Sequence, residues 1–196
     1  MILAYCLSIT DFDHIALDGT ILKAFNSPFN ILKMEDIDIL INHYFIKKLD
    51  TDEIKELRLS AIKFIKSKSL NDDEKLSVLK TLKNILEDSG QSSIGINDIT
   101  ARWMYNKQYR PQLSYNLQHG VDTKSILICG INISQSPTDH YEIPALMKVI
   151  LKNLNGIQPN MVSADTIYRT IINLTYLDEK EITILTPTRK QGKRIY

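Results

Sequence analysis

The spacing of apolar residues changes period twice along the chain. Around Ile15 and Leu17 apolar and other positions alternate, which predicts a strand from His14 to about Phe25. Asn26-Ser27-Pro28 breaks it. From about Leu32 to Glu87 the period is helical. Ile54, Leu57, Ala61, Phe64 and Ile65 share one helix face, and Leu76, Leu79, Leu82 and Leu86 share another. Asp50 with Glu53 reads as a capping box for the first, and Asn71 with Glu74 marks the start of the second. Ser89-Gly90-Gln91-Ser92-Ser93 and Gly95 make a polar break, after which strand spacing returns. Leu113–Val121 and Ile126–Ser134 predict a hairpin around the turn Asp122-Thr123-Lys124-Ser125. Ser136-Pro137-Thr138-Asp139 opens a helix buried through Ala145, Leu146, Val149, Ile150 and Leu154. Pro144 must lie in its first turn, and Asn155-Gly156 ends it. A strand at Met161–Ala164, a helix at Tyr168–Leu177 and a strand at Ile182–Leu185 complete the pattern before Pro187 and a basic tail.

This order predicts an α/β chain: a mixed sheet with helices on its faces, opened after the first strand by a helical insertion. The expected division is 1–29 and 98–196 for the sheet-bearing core and 30–97 for the insertion. Ribonuclease-H-like folds use the same order, with metal-binding acids on the first and fourth strands. The chain has 196 residues and a formal net charge of +1, so no global basic field draws it to nucleic acid. Any such affinity must come from local patches. Cys6 and Cys129 have no metal-ligand spacing and read as reduced, buried thiols of a cytoplasmic protein. The apolar start, Met1 to Ile9, is too short to span a bilayer, so no membrane partner is expected.

Two residues carry the candidate chemistry. Asp18 ends the first strand and Asp165 the fourth, where rigid carboxylates can hold a hard cation such as Mg²⁺ or Mn²⁺. Gly19 leaves room for close approach of a phosphate or a neighbouring strand. Other features have plainer readings. Asp122 stabilises a turn, Asp139 caps the following helix, His14 takes no role, and Lys63, Lys66 and Lys68 form a solvated helix face. Trp103, Tyr105 and Tyr109, interleaved with Arg102, Lys107 and Arg110, suit a nucleic-acid strand or a loop packed on a sheet edge. Arg189, Lys190, Lys193 and Arg194 form a basic run able to meet phosphates, or a frayed tail.

An ordered set of segments resembles bacterial insertion-sequence transposases of the DDE type. Residues Phe12 to Ser27 resemble their "I-D-G-T-K-I-K-A-N-A-S" segment, and Asp98 to Met104 resemble "D-P-x-A-R-x-M". Ser114 to Asp122 is similar to "Y-N-x-Q-x-A-V-D", Ser136 to His140 to "x-P-x-D", and Val162 to Tyr168 to "x-x-A-D-A-G-Y". Thr186 to Lys193 resembles "I-P-x-K-R-K-Q". The resemblance implies a ribonuclease-H-like catalytic core in which Asp18 and Asp165 are the first two acids of the triad. It further implies magnesium or manganese, DNA as substrate, and strand cleavage and transfer as the reaction. Ile167 stands where the family has Gly, and Ile21 and Leu22 where a Lys is usual. The family's third acid lies on a helix beyond the segment at Lys190–Lys193. The chain is therefore expected to be an internal fragment, impaired in catalysis, whose partners are DNA and either a second copy or the missing transposase segments. The alternative is a non-catalytic remnant that binds DNA or protein. A third reading makes Asp122 or Asp139 the third ligand of a compact nuclease.

Overall fold

The computed structural model describes residues 1–27, 29–46, 57–105 and 110–187. Asp50, Glu53, Ile54, Lys107, Tyr109, Arg189, Lys190, Lys193 and Arg194 lie outside the described residues. The chain forms two compact units, Met1–Leu22 with Tyr115–Tyr196, and Lys23–Ser114. The insertion expected at 30–97 falls within the second.

Among the described residues the elements are α1 (Ile2–Cys6), β1 (His14–Lys23), β2 (Ile31–Lys33), α2 (Met34–Ile46), α3 (Leu59–Lys66), α4 (Asp72–Ser89), β3 (Ser93–Gly95) and β4 (Arg102–Met104). They continue as β5 (Gln112–Asp122), β6 (Ile128–Ser134), α5 (Ile143–Asn153), β7 (Met161–Ser163), a 3-10 turn (Thr166–Tyr168), α6 (Ile171–Asp178) and β8 (Thr183–Leu185). The fold is mixed α/β. No helix among the described residues is long and apolar enough to cross a membrane.

In the first unit the strands lie in the order β6-β5-β1-β7-β8. β5 and β6 form the expected antiparallel hairpin, with Gly120 facing Gly130. β1 pairs in parallel with β7, and β7 in parallel with β8. Parallel neighbours need a crossover, which α6 supplies between β7 and β8. β1 and β5 run antiparallel. Thr123 N–H donates to the His14 carbonyl at 3.0 Å, Gly120 lies against Ile15 and Leu17, and Gly19 lies against Gln118.

Strand alternation sorts the side chains of β1 and β7. Ile15, Leu17, Val162 and Ala164 enter a core shared with Ile143, Leu146, Met147, Ile150 and Leu154 of the α5 region. The buried face of α5 therefore includes Ile143 and Met147, whereas Ala145, expected inside, is exposed. Pro144 does lie in the first helical turn, where its missing N–H costs no intrahelical bond. Asn155 and Gly156 both take positive φ just past the end, 54° and 87°.

The second unit packs α2, α3 and α4 around Leu32, Ile37, Leu40, Leu57, Ala61, Phe64, Leu79, Leu82, Leu86 and Ile94. The α4 start is as expected. Asn71 Oδ1 accepts the Glu74 N–H at 2.9 Å and Glu74 Oε2 accepts the Asn71 N–H at 2.8 Å. Leu76 of the predicted stripe is only half-buried. Two short elements depart from the pattern. Residues 31–33, where the helical period is expected to begin at about Leu32, form β2, and 93–95, read as part of a flexible break, form its antiparallel partner β3. Leu32 and Ile94 face each other and are almost wholly buried, and tertiary burial overrides the local Ser/Gly signal.

Gly120 and Gly130 set how closely α5 approaches the hairpin. A Cβ on Gly130 would stand 2.8 Å from Ile150 Cγ1 and 3.2 Å from the Ile150 backbone nitrogen. A side chain can rotate away, but the helix backbone cannot. Gly130→Ala is expected to lower stability by about 1–3 kcal/mol through overpacking, measured by urea unfolding. Asn71→Ala removes one half of the cap and should cost about 0.5–2 kcal/mol in the same assay.

Candidate metal site

Asp18 and Asp165 belong to the first unit and are brought together by strand register. The parallel ladder pairs His14 with Met161, Ile15 with Val162 and Ala16 with Ser163. Continued by two residues, it sets Asp18 opposite Asp165. In a parallel pair, facing residues share one side of the sheet, so both carboxylates leave on the side of Ala16 and Ser163. Both line one cleft of about 880 Å³, together with Ser163, Arg169, Thr186 and Pro187. Both aspartates are exposed.

Each carboxylate is held from its own backbone. Asp18 Oδ1 accepts the Gly19 N–H at 2.8 Å. Asp165 precedes the 3-10 turn, and its Oδ1 accepts the Thr166 N–H at 2.6 Å and the Thr166 hydroxyl at 2.9 Å. These bonds fix the carboxylate planes locally. Two hard oxygen ligands, one within β1 and one just past β7, could hold one divalent cation whose other positions are filled by water or phosphate, as magnesium prefers. No group of three or more His, Cys, Asp or Glu side chains placed to hold a metal occurs among the described residues.

The other acids singled out by sequence lie elsewhere. Asp139 is not the cap of α5. The cap position is Glu142, which makes no side-chain capping bond. Asp139 Oδ1 instead accepts from Asn116 Nδ2 at 2.7 Å and Gln118 Nε2 at 2.5 Å. It abuts Gly19, on the opposite face of β1 from Asp18. Asp122 is fully buried at the other end of β5. Its Oδ2 accepts the Thr10 hydroxyl at 2.7 Å, the Ser125 N–H at 2.7 Å and the Ser125 hydroxyl at 2.5 Å. The turn role of Asp122 is present, with an added anchor to Thr10. Neither acid joins the Asp18–Asp165 pair, which removes the compact-nuclease arrangement.

Among the basic and aromatic candidates that are described, Arg102 and Trp103 serve local structure. Arg102 Nη1 donates to the Ile99 and Ala101 carbonyls at 2.9 and 3.1 Å. Trp103 Nε1 donates to Ser93 Oγ at 2.9 Å. Arg110 is exposed and lines a separate cleft of the second unit with Lys23 and Trp103.

Sequence reading missed two parts of the site. Arg169 lines the cleft with the two aspartates, yet an Arg at the end of a 3-10 turn carries no local signature. Beneath Gly19 lies a buried polar chain. Tyr168 Oη donates to Gln118 Oε1 at 2.6 Å, and Gln118 Nε2 donates to Asn116 Oδ1 at 2.8 Å and to Asp139. Burial, then the nearby charges of Asp139 and Asp18, push the Tyr168 phenol well above its ordinary value, against the lowering effect of the Gln118 bond. At neutral pH it is a proton donor. Burial also raises the Cys129 thiol to about 11.

No protein-family model matches this chain, and no curated protein matches it at a significant level.

The two thiols should differ in reactivity. Cys6, expected to be buried, is exposed on the short N-terminal helix, and only Cys129 is buried, so an aromatic disulfide reagent at neutral pH should label one thiol in the native protein and two in denaturant. The folded chain keeps the Cys129 proton to about 11, whereas the unfolded chain releases it near 9.0. That contribution to stability is complete below 9.0 and is lost as pH rises toward 11, visible as a falling urea midpoint.

Proposed function

We propose that this chain carries the cation-binding core of a DDE-type transposase, with DNA phosphodiesters as substrate and Asp18 and Asp165 as metal ligands. The observation that carries this reading is the β1–β7 register, which brings two acids distant in sequence to one strand edge and one cleft. The strand order β6-β5-β1-β7-β8, with antiparallel β5 and β6 beside parallel β7 and β8, supports a ribonuclease-H-like core. The transposase-like segments also meet in space within each unit. Asn26 Nδ2 donates to the Asp98 carbonyl at 2.9 Å and Asp98 N–H donates to Asn26 Oδ1 at 3.2 Å. Asn116, Gln118, Asp139 and Tyr168, drawn from three further segments, form one hydrogen-bonded chain.

In this reading the two carboxylates hold magnesium or manganese. Bound there, the cation supplies Lewis-acid stabilisation of charge on phosphate oxygens. The cleft stays open to a polymeric substrate, and Arg169 offers a guanidinium to a phosphate. Of the acids that follow Asp165 in sequence, Asp178, Glu179 and Glu181, none lines the cleft. With two carboxylates the cation is held by fewer protein ligands than a DDE triad provides. The same shortage, with Ile167 at the family's Gly position, favours a second reading as a non-catalytic DNA- or protein-binding remnant.

Two measurements separate these readings. Mn²⁺ at about 100 times its dissociation constant should add roughly 2.7 kcal/mol of stability, and Asp18→Asn or Asp165→Asn should abolish the gain. With supercoiled plasmid and Mn²⁺, slow nicking lost in Asp165→Asn supports the transposase core. A stability gain without nicking supports the remnant. Nicking that Asp165→Asn leaves intact contradicts the assignment.

A further inference from the structure

We infer that Gln118, with Asn116, Asp139 and Tyr168, is a positioning device that fixes the spacing of the Asp18 and Asp165 carboxylates from behind the sheet. This rests on the metal-site reading above and adds residues to it.

The two metal-binding positions sit on different pieces of backbone. Asp18 is near the middle of β1, and Asp165 lies just past the three-residue strand β7, at the entry to the 3-10 turn. The ladder between β1 and β7 ends at Ala16 and Ser163. Beyond it, no strand pairing between the two holds Asp165 at a set distance from Asp18. The buried polar chain spans this gap. On one side, Gly19 immediately follows Asp18, and the space a Cβ would fill there is occupied by Gln118 Nε2 and by Asp139 Oδ1 at 2.6 Å. On the other side, Tyr168 is the last residue of the turn that Asp165 opens, and its hydroxyl ends on Gln118 Oε1. Gln118 is thus gripped between the backbone carrying Asp18 and the turn carrying Asp165.

The grip is specific. Gln118 and Asn116 are fully buried, and so is Tyr168. The Gln118 amide is used at both ends: its oxygen accepts from Tyr168, and its nitrogen donates to Asn116 and Asp139. The hydrogen bonds therefore assign its amide orientation without ambiguity. A hydrocarbon of the same size would fill the volume but fix neither end. Buried polar chains satisfied at every link are rigid, because each alternative arrangement strands a donor or acceptor away from water. Gly19 is required for contact: any side chain there would push Gln118 and Asp139 away from β1. Asp139 offers one oxygen to two donors, so its task is acceptance at a fixed point.

The test is Mn²⁺ affinity by calorimetry, together with the paramagnetic resonance line width of bound Mn²⁺ and thermal stability without metal. The variants are Gln118→Ala, Tyr168→Phe, Asp139→Ala, Asp139→Asn and, as a control in the apolar core, Ile150→Val. The expected result is a loss of about 10-fold in affinity for Gln118→Ala and Tyr168→Phe, with a broadened signal. Asp139→Asn, whose amide oxygen can still accept both bonds, should recover much of what Asp139→Ala loses. Ile150→Val should lower stability with unchanged affinity. Wild-type affinity in both Gln118→Ala and Tyr168→Phe overturns the inference alone. Affinity that tracks stability across all variants, Ile150→Val included, also overturns it. A wild-type protein that does not bind Mn²⁺ overturns the metal-site reading and this inference with it.

Discussion

The parallel ladder between β1 and β7 is the constraint on which the site depends. It is three pairs long, yet it decides the face and the level at which the two segments present Asp18 and Asp165. A slip of one position would turn one carboxylate into the apolar core and the other out to solvent, because side chains alternate with period two. The core resists that slip. Ile15 and Leu17 on β1 and Val162 and Ala164 on the β7 segment are buried in the apolar core. The packing that stabilises the unit thereby also sets the geometry of the acids.

Two layers of the first unit serve this arrangement. The glycine pair 120 and 130 lets α5 press on the hairpin, so the sheet is backed by a helix at close range. Closer to the site, apolar packing gives way to hydrogen bonds among Asn116, Gln118, Asp139 and Tyr168. Such a chain adds less net stability than the same volume of hydrocarbon, but it defines atomic positions more sharply. Its place directly behind Gly19 ties it to the acids.

Much of this was legible in the sequence, for identifiable reasons. Strands β1, β5 and β6 and helices α4 and α5 have enough periodic residues to declare themselves, and the Asn71–Glu74 cap and Asn155–Gly156 stop are local chemistry. The Asp18 and Asp165 pairing was reachable because each ends an apolar run. The short strands β7 and β8 were legible in their apolar runs, but β2 and β3 were not. β2 and β3 are three residues each, and their pairing is a long-range event that no local pattern encodes. The part played by Asp139 was hidden for the same reason. An Asp shortly before a helix looks like a cap, and only the fold reveals that its acceptor is taken by two amides from β5. Arg169 and the reciprocal pairing of Asn26 with Asp98 are likewise products of tertiary placement.

The most direct test of the central claim is a crystal of the protein soaked in Mn²⁺, with the anomalous signal of the metal mapped. The account predicts a peak in the cleft of the first unit, about 2.2 Å from a carboxylate oxygen of both Asp18 and Asp165. A peak at any other acidic pair, with none between these two, would contradict it.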